Sequence, residues 1–226
     1  MKNFPKDLFS IGSFLIVFFI ALSVSLLIPA TPHVGRVAMR NKAKIEISAL
    51  EQAIKSYHEV YGRIPVSASV LQTANSGSFT YGAVIPNPKS PSPIGTLMRG
   101  QVVLNSELIA VLMDLTNYPG NPGQSTINTN HCLNHQHTKF LNANFVAETS
   151  SGGVGPDLVY RDPWGTPYFI TVNLGDTNQC QDEFYFRPGL PAIAQVMVWS
   201  AGPDMKINTS APRGEAENKD NIVSWR

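Results

Sequence analysis

His131-Cys132-Leu133-Asn134-His135-Gln136-His137 gathers three imidazoles and a thiol into seven consecutive residues. Imidazole nitrogen and thiolate sulfur are the usual ligands of zinc, so this is the densest cluster of transition-metal donors in the chain. Its spacings match neither a zinc finger nor the helical His-Glu-x-x-His arrangement. A second polar stretch, from Asp176-Thr177-Asn178 to Asp182, lacks the glycine and the closing glutamate of an EF-hand and reads as a hairpin loop. Nucleophilic and nucleotide chemistry find no carrier: there is no Gly-x-Ser-x-Gly, no phosphate loop and no dinucleotide fingerprint. His58 stands beside Glu59 and reads as an exposed helical residue. The sequence points away from an enzyme.

Composition narrows the class further. The 226 residues suffice for one domain, or for one domain and an anchor. A hydrophobic share of 43% supports a real core and argues against wholesale disorder. Seventeen basic residues against 16 acidic ones leave a net charge of +1, which gives no footprint for nucleic acid. Glycine and proline, 17 of each, make the chain modestly loop-rich, without a collagen-like period or an internal repeat.

The elements that must position these residues begin with an apolar segment. Residues 1–7 are polar and read as a cytoplasmic leader-like segment, and residues 8–32 hold no Asp, Glu, Lys, Arg or His. About 20 apolar residues cross a bilayer as a helix, and this segment reaches that length. Pro29-Ala30-Thr31-Pro32 offers no clean small-x-small cleavage site, so a retained anchor is favoured over a cleaved secretory signal. Charge leaves orientation open: Lys2 and Lys6 lie on one flank, Arg36, Arg40, Lys42 and Lys44 on the other, and a bare count leans toward a cytoplasmic C-terminal flank.

Residues 33–65 continue as an amphipathic helix. Ala43, Ile47, Leu50, Ile54, Tyr57 and Tyr61 recur at steps of four and three, the stripe of a core-facing helix. Lys44, Glu51, Gln52, Lys55 and Glu59 occupy the other face, and Gly62 and Pro65 provide a stop. Residues 66–153 read as loop-rich, with one short helix over 107–115 capped by Ser106 and directing Leu108, Ile109, Leu112 and Leu115 inward. Residues 154–226 change character. Asp162-Pro163-Trp164-Gly165 is a turn, and β-branched and aromatic runs at 167–172, 183–186 and 194–200 read as strands of an antiparallel meander. The expected class is α+β: a long N-terminal helix, membrane-spanning in its first half and amphipathic in its second, packed on a small C-terminal antiparallel sheet.

Three stretches carry a family resemblance. The first is Ile47 to Pro65, where Leu50-Glu51 in the helix is followed by Tyr57-His58-Glu59-Val60-Tyr61-Gly62-Arg63-Ile64-Pro65. The second is Asp162-Pro163-Trp164-Gly165-Thr166-Pro167-Tyr168. The third is Trp199-Ser200-Ala201-Gly202-Pro203-Asp204, closed by Asp220-Asn221-Ile222-Val223-Ser224-Trp225. Together they resemble the type IV pilin-like superfamily, most closely the major pseudopilin of type II secretion. The resemblance implies a structural filament subunit for protein secretion, anchored once in the cytoplasmic (inner) membrane, with a periplasmic or extracellular head. Its implied partners are that membrane and further copies of the chain or other pseudopilins.

The resemblance also implies sites. A calcium ion would sit in the C-terminal loop, at Asp204, Asp220 and Asn221, with Asn218 nearby and Ala201 offering a backbone carbonyl. A head outside the cytoplasm would be in an oxidising place, where Cys132 and Cys180, the only cysteines, are expected to pair. That disulfide would contribute about 4 kcal/mol by loop entropy, and the histidines would then be surface loop residues. One departure leaves two readings open. With Pro29 placed on the family's kinking proline, the mature chain would start at Leu8. Asp7 and Gly12 would then stand where the family carries glycine and glutamate. The chain reads as a pseudopilus subunit, or as an uncleaved single-pass envelope protein whose head binds without polymerising.

Overall fold

A helix with one apolar stripe has to bury that stripe, and α1, Thr31–Tyr61, does so along its second half. Ala43, Ile47, Leu50, Ile54 and Tyr57 are buried and Tyr61 is half-buried at the end of the row. On the opposite face Lys55 Nζ donates to Glu51 Oε1 at 2.6 Å, the favourable order for a pair four residues apart. Gly62, at φ +64°, ends the helix, its N–H donating to the His58 carbonyl at 2.8 Å. The structure is a computed structural model that describes residues 16, 18, 31–75, 77–85, 92–94, 96–98, 100–175, 179–182, 184–185, 192–208 and 211–225. It falls into two units, Met1–Met39 and Arg40–Arg226. In the first, Ile16 and Phe18 are helical and exposed. The expected leader, 1–7, and nearly all of the expected anchor, 8–32, lie outside the described residues. Among the described residues no helix is long and apolar enough to cross a membrane.

The second unit is α+β with an antiparallel sheet. Its four strands are β1, Ser78–Tyr81, β2, Phe169–Asn173, β3, Val196–Ser200, and β4, Ile222–Val223, in the spatial order β1-β2-β3-β4. Side chains alternate across a strand, and the register makes the alternation continuous between strands. Phe79, Tyr81, Ile170, Val172, Val196, Val198 and Ile222 join the helix stripe in one core. Phe169 and Trp199, register partners, face the other way and stack at 3.9 Å within a second apolar cluster containing Ala83, Ile94 and Ala201. Covered on both faces, β2 and β3 are buried along their whole length, which is why both are rich in β-branched and aromatic residues, with Thr171, Asn173 and Ser200 as buried polar members.

Several local expectations change. Residues 66–153 contain an edge strand, β1, and a helix, α2, Ala68–Ala74, whose cap Ser67 Oγ accepts Val70 N–H at 3.3 Å. The helix expected at 107–115 is α3, Ser106–Leu112, and its N-cap position is Asn105, not Ser106. Asn105 turns its side chain away from the helix. Its Nδ2 donates to Tyr160 O and Tyr168 O at 3.0 and 2.9 Å, and its Oδ1 accepts Tyr160 N–H at 2.8 Å. Leu108, Ile109 and Leu112 are buried as expected, but Asp114 at φ +56° stops the helix short of Leu115. Phe184 and Tyr185 form a turn where a strand was expected, because Asp182 Oδ1 accepts both of their N–H groups, at 3.0 and 2.8 Å.

The Asp162 turn ties this architecture together. Its Oδ1 accepts Trp164 and Thr166 N–H at 3.0 Å each, and Ser200 Oγ donates to its Oδ2 at 2.6 Å. Gly165 is at φ +97°, and a Cβ there would stand 2.3 Å from the Ser150 carbonyl oxygen, so only glycine fits. Asp162 is wholly buried, and this burial pushes its carboxyl up to about 6 against the pull of those donors. The folded state then holds a proton that the unfolded chain has released above pH about 4. Relative to Asp162→Asn, the wild type should lose stability as pH rises from about 4 to about 6, followed by denaturant midpoints across that window. Asp162→Ala leaves three donors, two of them buried, without this acceptor and should cost about 3 kcal/mol at neutral pH by the same measurement.

Candidate functional site

The C-terminal loop is positioned by what closes it at either end. It leaves β3 at Ala201, whose methyl is buried in the second apolar cluster. It returns through a 3₁₀ turn, Ala216–Asp220, into β4, which pairs Ser200 with Ile222. Gly202, at φ +76°, lets the two halves meet. A Cβ on it would stand 2.5 Å from the Asp220 carbonyl oxygen and 3.3 Å from the Asp220 Cγ. Trp225 seals the end, its ring 5.5 Å from that of Tyr185 and its carbonyl accepting from Arg213 Nη1 at 3.3 Å.

Inside this frame Asp220 and Asn221 present oxygens in need of a partner. Asp220 Oδ1 and Asn221 Oδ1 are buried and accept no hydrogen bond among the described residues. Asn221 Nδ2 donates to Tyr185 Oη at 2.6 Å, which holds the amide in place. Burial, and then the negative charge of Asp204, push the Asp220 carboxyl above its ordinary value. Asp204 itself is exposed, with its Oδ1 accepting Lys206 N–H at 2.9 Å. Two carboxylates and an amide oxygen, two of these oxygens buried and bare, fit a hard cation such as calcium.

Asn218 does not fit that role. Its Nδ2 donates to Asn208 O and Ala211 O, both at 2.8 Å, and its Oδ1 accepts Asn208 N–H at 2.9 Å. Both ends of this buried amide are used to fold the loop, so it is a clamp and not a ligand. Of the five residues expected at the site, Asp204 lies close enough to Asp220 for its charge to act on that carboxyl, Asn221 is held by Tyr185, Asn218 shapes the loop and the Ala201 methyl is buried at its base.

The expected Cys132–Cys180 disulfide is not formed; both are free thiols. Cys180 is buried on the sheet, its Sγ donating to the β2 carbonyl of Thr171 at 3.4 Å. Cys132 is exposed in the turn after α3, its Sγ donating to Ile127 O at 3.2 Å. The two belong to different parts of the head. Burial, and then the charge of Asp182, push the Cys180 thiol up to about 12, which suppresses the thiolate that disulfide chemistry requires.

The histidines of the same segment divide. His131 and His137 converge on Asp114, with His131 Nδ1 at 2.6 Å from Oδ1 and His137 Nδ1 at 3.6 Å from Oδ2. His135 and Cys132 are not part of this grouping. Asp114 is absent from the sequence reading because it stands 17 residues before His131, outside any local spacing. Glu46 was also unmarked. It looks like one more charge on a helix, yet its Oε2 accepts from Tyr168 Oη at 2.6 Å, joining α1 to the start of β2.

Comparison with protein-family models, with curated proteins and with solved structures finds no match to this chain. The loop's own geometry therefore carries its test. Gly202→Ala brings a methyl into the Asp220 backbone at a left-handed φ and should cost about 1–3 kcal/mol. Amide hydrogen exchange should speed up across 201–225 while the amides of α1 and β2 stay protected.

Proposed function

We propose that this chain is a structural, non-enzymatic subunit of pseudopilin type, belonging to a type II secretion pseudopilus and so serving protein secretion. It would cross the cytoplasmic (inner) membrane once, through residues 8–32, and hold its head in the periplasm or outside the cell. Its partners would be that membrane and further copies of itself or other pseudopilins. One combination carries the reading. A helix buries its apolar stripe on an antiparallel sheet, and the Asp-Pro-Trp-Gly turn is hydrogen-bonded through Asp162 to Ser200, the residue that opens the C-terminal loop.

A second observation supports assembly. Val34, Val37, Met39 and Ile45 are large apolar residues of α1 that remain exposed in the single chain, Ile45 at 70%. Apolar surface repeated along one helix gains free energy when helices of neighbouring copies cover it. A head-to-tail contact that does not close would then extend as a filament. The alternative is an uncleaved single-pass envelope protein that uses its head for binding and does not polymerise. Asp7 and Gly12 favour it, because they occupy the positions where the family carries its processing glycine and its glutamate.

Calcium in the C-terminal loop belongs to both readings. Asp204, Asp220 and Asn221 would hold it, and the ion would neutralise two carboxylates that otherwise repel and satisfy the bare buried oxygens.

Intact mass and N-terminal sequencing of the protein from its native membranes separate the readings. A chain starting at Leu8 is expected for the filament subunit, a chain starting at Met1 for the alternative, and a start beyond Pro29 overturns both. Ile45→Asp should leave the head folded, since the side chain is exposed, and abolish filaments or co-purifying oligomers. Millimolar calcium should raise the melting temperature of the wild type by several degrees for about 1 kcal/mol of linkage. Asp220→Asn should remove that response.

A further inference from the structure

We propose that Asp114, His131 and His137 form a transition-metal site of the zinc class, separate from the C-terminal loop. One carboxylate and two imidazole nitrogens from residues 114, 131 and 137 meet with all their ligand atoms within 4.8 Å of one another. His131 Nδ1 lies 2.6 Å from Asp114 Oδ1, and His137 Nδ1 lies 3.6 Å from Oδ2. The imidazole rings are 3.9 Å apart between centroids. Zinc holds nitrogen and oxygen ligands at about 2.0–2.2 Å, so neighbouring ligand atoms of a tetrahedron stand about 3.3 Å apart. The three donors already bracket that spacing, and side-chain adjustments of less than about 1 Å would close them on an ion.

The donor set selects the metal. Two nitrogens and one carboxylate suit zinc and its neighbours, whereas calcium takes oxygens alone. Asp114 is the buried end of the site, with 9% of its side chain exposed, while His131 and His137 are 30% and 60% exposed. A metal can therefore enter from solvent, and the fourth position is left to water. Asn128 supplies the outer support. Its Nδ2 donates to Asp114 Oδ1 at 3.2 Å, and its Oδ1 is held by Leu133 and Asn134 N–H at 3.2 and 3.1 Å. All three ligand residues lie in the left-handed region, Asp114 at φ 56°, His131 at 54° and His137 at 53°, a conformation Asp and His adopt more readily than most residues.

The consequence of binding follows from what this loop touches. Tyr57 Oη donates to Leu133 O at 2.5 Å, Tyr61 Oη donates to Asn134 Oδ1 at 2.9 Å, and Gln136 N–H donates to Tyr61 Oη at 3.0 Å. The loop between the two histidines is thus the cradle for the C-terminal end of α1. A metal bridging Asp114, just past α3, to His131 and His137 would lock that cradle from its outer side. The site is a clasp that couples metal occupancy to the seating of the long helix.

The test uses the full chain, stripped of metal and titrated with zinc against a chromophoric chelator, with thermal unfolding recorded in parallel. The expected result is one zinc per chain and a raised melting temperature. His137→Ala, a change at an exposed side chain, should weaken binding by at least about tenfold and abolish the thermal shift. His135→Ala and Asp220→Asn should bind zinc like the wild type, and cobalt in place of zinc should give a ligand-field spectrum that His137→Ala loses. The proposal is overturned by absence of stoichiometric binding, by equal losses in His135→Ala and His137→Ala, by unchanged binding in His137→Ala, or by displacement of the zinc with excess calcium.

Discussion

The burial of one helical stripe is the constraint on which the rest of the molecule depends. Ala43, Ile47, Leu50, Ile54 and Tyr57 leave water together or not at all, because they lie on one face of a rigid rod. Full burial of side chains of the Leu and Ile kind contributes about 1.5–3 kcal/mol each, so the row outweighs any single polar contact in the chain. The surface that receives it must be apolar, and Phe79, Tyr81, Ile170, Val172, Val196 and Val198 provide one because the strand register brings their alternating faces into line. α3 completes the enclosure with Leu108, Ile109 and Leu112.

Polar groups within that enclosure are few and heavily used. Asp162 and Asp182 are both buried carboxylates, and each organises a turn by accepting backbone N–H groups. Each also reaches a strand: Asp162 meets Ser200 at 2.6 Å, and Asp182 meets Thr171 Oγ1 at 2.5 Å and Trp199 Nε1 at 3.0 Å. Unpaired burial would be costly for either, so their donors specify which turn sits against which strand. Glu46 plays a comparable part for the helix through Tyr168. The apolar row holds the helix on the sheet, and these contacts fix its position along the row.

The two loop regions differ in chemistry for a physical reason. The ligands proposed in the C-terminal loop are oxygens alone, with Asp204 and Asp220 repelling each other, and would suit a hard cation. The loop after α3 gathers imidazoles around one carboxylate and suits a borderline metal. Neither proposed site shares a ligand with the other, so the two would load independently.

The helix stripe was legible in sequence because helical periodicity is a local property: the steps of four and three already identify the buried face of α1. The runs now seen as β2 and β3 were legible for a similar reason, being dense in β-branched and aromatic residues. β1 was hidden, since Ser78-Phe79-Thr80-Tyr81 stands in a Ser- and Gly-rich stretch and becomes a strand only by pairing with β2, some ninety residues later. Phe184 and Tyr185 have strand-forming side chains, but the Asp182 carboxylate claims their N–H groups and bends them into a turn. In the C-terminal loop the family resemblance singled out Asp204, Asp220 and Asn221 with Asn218, whereas only the fold could show that the Asn218 amide is consumed in closing the loop. Cys132 and Cys180 looked like partners because they are the only cysteines, and tertiary structure assigns them to different surroundings. The sequence by itself determined which faces had to be buried, because hydrophobic periodicity is written into adjacent residues. Which side chains meet, Asp114 with His131 and His137 above all, was decided by the tertiary structure, because only the packing of separate elements brings distant donors within bonding reach.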